Sequence, residues 1–166
     1  MMYSDLTNTA QAVEAMRDSL DLMLKTKLSK GLSNLLQIRT ILEPGIAAIA
    51  AEMATTEDIE TIQEAIAALD AVGGNANGFV KADQEFHLAL AKATQNSFVP
   101  ILLDSIMELL KEQEGCQVPV NGGILREQAD HQRILEAIRQ RNPEAARQTM
   151  IDHLQQLLED GKTLVS

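Results

Sequence analysis

Apolar side chains return every third or fourth position along almost the whole chain, and nowhere do they alternate with polar ones over the length of a strand. That spacing lines one face of a helix, whereas a half-buried strand needs a period of two. It restricts the chain to helix-on-helix packing. A first helix is expected from about Asn8 to Lys27, with Val13, Met16, Leu20, Met23 and Leu24 on one side. After a break at Lys30-Gly31, a second should start at Ser33 or Asn34 and reach about Ala54, with Leu35, Ile38, Ile41, Leu42, Ala48 and Ile49 as its stripe. Pro44-Gly45 lies inside it. An interior proline removes a hydrogen bond and crowds the preceding turn, so a kink is expected between Thr40 and Gly45.

Thr55-Thr56-Glu57-Asp58 supplies a cap and early acids for a third helix, striped by Ile59, Ile62, Ile66 and Leu69. The Gly- and Asn-rich segment Gly73 to Gly78 reads as a loop. A fourth helix then covers about Phe79 to Thr94, and Asn96-Ser97 opens a fifth that runs to about Glu114. Residues 115–123 read as a loop, followed by a sixth helix from about Ile124 to Arg141. Asn142-Pro143-Glu144 combines a cap, a first-turn proline and an acid, and so starts a seventh. The fold class is all-α: an antiparallel bundle of six or seven helices.

With 166 residues, the chain can bury one proper core. Aromatics are only 2% of it, so the core is built from Ala, Leu, Ile, Val and Met. A net charge of −10 repels phosphate backbones, and direct nucleic-acid binding by this chain is not expected. Cys116 is the single cysteine, which rules out an intrachain disulfide. It sits in a loop-like stretch with no histidine near it in sequence, which gives little support for a catalytic thiol. No apolar run approaches the roughly 18 residues of a membrane span, and the first 30 residues lack a signal-peptide core. A cytoplasmic protein without a membrane partner is expected.

The only three histidines, His87, His131 and His153, fall on the apolar stripes of three different helices, the fourth, sixth and seventh. On the fourth the inward line is Phe79, Ala82, Asp83, Phe86, His87, Leu90 and Ala93. Asp83 and His87 are i and i+4 and project side by side. The sixth contributes Ile124, Gln128, His131, Ile134, Leu135 and Ile138; the seventh contributes Ala146, Met150, His153, Leu154 and Leu157. A lone inward histidine is ordinarily a core residue satisfied by a carbonyl or a neighbour. Three of them beside a carboxylate are satisfied together by one cation if the helices adjoin. Such a set suits a divalent transition metal such as Zn²⁺, Ni²⁺, Fe²⁺ or Mn²⁺ and not a dedicated Ca²⁺ or Mg²⁺ cage. Four ligands saturate a tetrahedral ion but leave an octahedral one two open positions, which a small carboxylate could fill.

The order and spacing of these pieces resemble the FadR-type C-terminal effector domain of the GntR family of bacterial transcription regulators, over about residues 17 to 160. Arg17 to Leu24 is similar to the helix that enters that domain, and Gln37 to Pro44, Ile49 to Ala51 and Ala54 to Asp58 to its second helix and following turn. Asp83-Gln84-Glu85-Phe86-His87 is similar to the family's Asp-x-x-Phe-His signature, with Asn96 after the helix; His131 to Ile138 and His153 complete the pattern. The resemblance implies Asp83, His87, His131 and His153 as ligands of Zn or Ni, and a homodimer. It also implies that Arg39 meets a carboxylate effector above the metal. An ion pair with Glu43, one turn on, is an equal alternative for Arg39, and Asn96 is either a cavity contact or a helix cap.

Residues 1–16 are then an N-terminal extension and the start of the first helix, and 17–166 the ligand-binding bundle. They are too short and too weakly basic to supply the winged-helix DNA-binding domain of family regulators. The expected role is a metal-dependent sensor of a small organic acid that reaches DNA only through such a domain. A metal-dependent hydrolase needs a general base near the ion. Glu85 points away from Asp83 and His87 on its helix, and no other candidate stands out, so no enzyme is expected. A structural metal in a plain oligomerisation bundle is the remaining alternative.

Overall fold

The computed structural model describes residues 2–25, 31–73, 75–114 and 123–163, and the regular structure among them is all helical. The order is α1 (Met2–Lys25), α2 (Gly31–Met53), α3 (Thr56–Ala71), α4 (Ala76–Ala93), α5 (Phe98–Glu114), α6 (Gly123–Arg139) and α7 (Pro143–Thr163). Lys30, Cys116 and residues 115–122 of the loop expected over 115–123 lie outside the described residues, while Gly31 and Gly123, read as break and loop, are the first residues of α2 and α6. Seven helices and no strand among the described residues give the all-α bundle read from the apolar period.

Polar side chains set the helix ends. The Thr55 hydroxyl accepts the Asp58 N–H, while the Asp58 carboxylate accepts the Thr55 N–H at 2.8 Å, a reciprocal capping box. Asn75 accepts the Gly78 N–H, so α4 begins at Ala76, three residues before the expected start. The Ala76–Gly78 stretch read as loop is in fact its first turn; a cap overrides the weak helix propensity of Asn and Gly there. Between α6 and α7, Arg141 takes φ +54°, and Asn142 donates its N–H back to the Ala137 carbonyl at 2.9 Å. The Asn142 side chain then accepts the Ala145 N–H. One three-residue connection thus closes α6 and opens α7, which fixes His131 against His153.

α2 is the central element, packing against α4, α5, α6 and α7, while α3 packs on α4 and α6 and α1 lies on α5. It runs unbroken through Pro44. Its buried face agrees with the expected one at Leu35, Leu42 and Ala48 and departs from it elsewhere. Ile46, Ala47, Ala50, Ala51 and Ala54 are also inside, together with the charged Arg39 and Glu43, whereas Ile38, Ile41 and Ile49 are exposed. The alanines at 47, 50, 51 and 54 form a smooth strip at helical spacing, and this strip joins the main core. Phe86, Ile62, Ile66, Leu90, Ile134, Leu135, Ile138 and Met150 fill that core around it.

The assignment of α2's faces is open to measurement. Ile46→Ala, inside the core, is expected to cost about 2–4 kcal/mol in urea unfolding, and Ile41→Ala less than about 0.5 kcal/mol at low protein concentration. Equal costs would mean that the face has been assigned wrongly.

Candidate metal centre

The inward faces of α4, α6 and α7 carry Asp83, His87, His131 and His153 to one place in the bundle. One ligand atom from each lies within 4.8 Å of every other. All three imidazoles are fully or almost fully buried, and Asp83 is half-buried. The Oδ1 atom of Asp83 stands 3.6 Å from His87 Nε2 and 3.4 Å from His131 Nε2. Those separations are near the roughly 3.3 Å subtended by two bonds of about 2.0–2.1 Å at a tetrahedral angle. The three rings are mutually adjacent, with centroids 4.8 to 5.7 Å apart.

Buried polar atoms at the centre lack hydrogen bonds. Asp83 Oδ1, Glu43 Oε2, His87 Nδ1 and both ring nitrogens of His131 and of His153 have no hydrogen-bond partner. Leaving such groups unmade costs on the order of 1–3 kcal/mol each. One cation facing Asp83, His87, His131 and His153 would satisfy an atom of each, so the donor set fits a divalent transition metal. Phe86, also fully buried, lies against the His131 ring at 4.0 Å between centroids and meets His87 edge-on, which limits how either ring can turn.

Carboxylates stand behind the histidines. Glu43, buried on α2, touches His87 Nδ1 with Oε2 and accepts the Arg39 Nε–H with Oε1 at 2.5 Å. Asp130 on α6 has Oδ2 3.5 Å from His153 Nδ1 and is itself paired with Arg133. These are the positions of groups that orient metal-ligating imidazoles. Sequence reasoning missed the inward placement of Glu43, Asp130 and Glu127, all of them buried. The usable signal was the i, i+4 spacing of Arg39 and Glu43: if one faces inward, so does the other. On α6, Gln128 is only half-buried and donates to Asp70, while Glu127 and Asp130 take the inner positions.

Arg39 reaches the same site. Its Nη2 lies 3.4 Å from His87 Nε2, so the Glu43 ion pair and a place beside the cluster hold together. Asn96 is elsewhere. Its side chain accepts the Phe98 N–H at the start of α5, and it is exposed at the rim of a cavity of about 490 Å³ lined also by Val13, Leu88, Lys92 and Ile101. No member of the histidine cluster lines that cavity.

The electrostatics follow from burial against charge. Burial opposes the imidazolium of His87, yet Glu43 and Asp83 outweigh it and raise its pKa to about 9. Burial dominates at His131, pushing it down to about 3. For Glu43, burial is overcome by Arg39 and His87, which hold its carboxyl down at about 2. Asp83 is likewise held well below the carboxylate range against its burial, by His87, His131 and Arg39.

Known proteins are similar to this chain in sequence or in fold. The FCD domain family matches residues 34–156. The HTH-type transcriptional regulator LutR of Bacillus subtilis (strain 168) is 34% identical over 125 residues, covering 72% of this chain and 57% of that protein. The Uxu operon regulator of Haemophilus influenzae is 32% identical over 127 residues, covering 73% and 47%. A solved structure described as Streptococcus agalactiae GntR superposes with a TM-score of 0.59 at 27% identity, over 76% of this chain and 57% of that one. The chain therefore spans about half the length of the curated relatives it matches. Both relatives are named as regulators, in line with the expected non-catalytic role.

The two shifted histidines predict the pH profile of chelator-treated protein. His131, lowered on folding, contributes stability that is complete above ~6.5 and is lost as pH falls toward about 3. His87, raised on folding, contributes stability that is complete below ~6.5 and is lost as pH rises through about 9. Urea unfolding between pH 4 and 10 is expected to show a maximum between these limits. His87→Ala should abolish the alkaline loss; an unchanged alkaline arm in that variant would refute the assignment.

Proposed function

The chain belongs to the FCD domain family, the effector-binding domain of GntR-family transcription regulators, and from that premise we propose that it senses a small carboxylate through a bound divalent metal. Asp83, His87, His131 and His153 are the ligands in this reading, with Zn or Ni as the ion. The observation that carries it is the convergence of these four groups from three helices, with buried imidazole nitrogens that no protein group satisfies.

Charge favours an anionic effector. Arg39 and Glu43 offset one another, and a divalent ion offset only by Asp83 leaves the groups in direct contact one charge positive. A carboxylate neutralises that excess. The ion supplies Lewis acidity toward the effector's oxygens. Arg39 supplies a charge-assisted donor beside them: its guanidinium has five N–H groups, and Glu43 takes only the one on Nε. Phe86 and the aliphatic core keep the imidazoles dry and their rotamers fixed.

In the full regulator, residues 17–166 act as the sensing bundle of a cytoplasmic homodimer, and effector binding biases the placement of winged-helix domains carried outside this chain. Such coupling is typically worth about 1–3 kcal/mol, a 5- to 150-fold change in DNA affinity. No helix among the described residues is long and apolar enough to cross a membrane.

The test is a thermal-shift screen of small hydroxy- and dicarboxylic acids against zinc- or nickel-loaded and chelator-treated protein. Stabilisation is expected only in the loaded form, growing with the logarithm of acid concentration above Kd. Arg39→Ala should weaken the acid's affinity by at least tenfold while metal content stays at one ion per chain. Absence of any shift in loaded protein, or equal shifts with and without metal, would defeat the sensor reading. His131→Ala, expected to lose the ion, supplies the control for metal dependence.

A further inference from the structure

We infer that Glu43 is a positioning residue that selects the metal-binding tautomer of His87 and ties that imidazole to Arg39. The inference rests on the metal reading above and extends it to a residue outside the ligand set. Glu43 is almost fully buried, and its two oxygens serve different partners: Oε1 takes the Arg39 Nε–H, and Oε2 touches His87 Nδ1. The two atoms are in ion-pair contact without the alignment of a full hydrogen bond; a carboxylate can only accept, so this contact favours a proton on Nδ1. A neutral His87 then presents the lone pair of Nε2, the nitrogen that faces Asp83 Oδ1, to the cluster. Were Nδ1 unprotonated, a lone pair would face a carboxylate in a dry interior.

Glutamine cannot do this work. An amide has one accepting oxygen and one donating nitrogen. With its oxygen on Arg39, its NH₂ points at His87 Nδ1 and favours the tautomer carrying hydrogen on Nε2, which cannot bind a metal. With its oxygen on His87, its NH₂ opposes the Arg39 Nε–H. The same geometry admits a plainer role, in which Glu43 serves only to neutralise Arg39 inside the core. The two roles part company at the metal. If neutralising Arg39 were the whole role, Glu43→Asp, which keeps the charge, should bind the ion like wild type. For a residue that orients His87, withdrawing the carboxylate from Nδ1 weakens ion binding even though the charge remains, while losing Arg39 takes a positive charge away from a cation and does not.

The experiment measures zinc affinity by chelator competition in wild type, Glu43→Gln, Glu43→Asp and Arg39→Ala, with far-UV circular dichroism as the folding control. Glu43→Gln is expected to weaken zinc binding about 10- to 100-fold. Glu43→Asp keeps the charge but withdraws it by one methylene; it should keep the fold and still lose roughly tenfold, within the range for such outer partners. Arg39→Ala should bind zinc at least as tightly as wild type. In ¹⁵N-histidine NMR of zinc-saturated protein, a downfield Nδ1–H resonance absent from His87→Ala should be present in wild type and displaced in Glu43→Gln. Wild-type affinity in Glu43→Asp or Glu43→Gln, or equal losses in Glu43→Gln and Arg39→Ala, would overturn the inference and leave the metal reading standing. Failure of wild type itself to take up zinc or nickel would instead bring down the metal reading, and this inference with it.

Discussion

Polar groups at the centre of an aliphatic bundle dictate its construction. Three imidazoles, a guanidinium and the Glu43 carboxylate are buried where Ala, Leu and Ile make up most of the surroundings. Each would be expensive alone, because burial removes it from bulk solvent and leaves it in need of a protein partner. They are tolerable only as a connected set, running from Arg39 through Glu43 to His87 and on to Asp83 and His131. A set of that kind fixes more than its own geometry. It requires α2, α4 and α6 to meet at one register, and Asp130 beside His153 does the same for α7.

This requirement explains which part of the sequence was legible. Helix periods and caps are local signals, and Thr55, Asn142 and Pro143 stood where the apolar rhythm restarted. The line Phe79, Ala82, Asp83, Phe86, His87 and Leu90 was legible too, since its polar members sit among strongly apolar neighbours at helical spacing. α2 was legible only in part. Of its expected stripe, Leu35, Leu42 and Ala48 do pack inward, but Ile38, Ile41 and Ile49 are exposed, and the bundle takes in the alanine strip with Arg39 and Glu43. The partner that makes a buried Glu43 acceptable, His87, is 44 positions away, and no window along the sequence contains both. Glu127 and Asp130 escaped for the same reason: an acid is assigned to solvent until its distant partner is known.

Arg39 was expected either to pair with Glu43 or to meet a carboxylate effector; the pair is present, and a guanidinium has donors enough to leave Nη2 beside His87 as well. Its pKa stays raised although burial opposes it, because Glu43, Asp83 and Glu127 all act on it. A permanently charged group held this firmly is pre-organised. Asn96 went the other way, to the N-terminus of α5, where its oxygen serves Phe98.

The arrangement also bears on how a signal could leave the site. Among the helices packed on α2 is α5, which in turn carries α1. A change at His87 reaches α2 directly through Glu43, with no intervening solvent or loop. Packed interiors respond to such a change by moving whole elements, because their side chains have little room to yield individually. α2 is therefore the element that joins the buried polar cluster to the periphery of the bundle. The Arg39–Glu43 ion pair, one of the two readings offered by the sequence, is part of that connection.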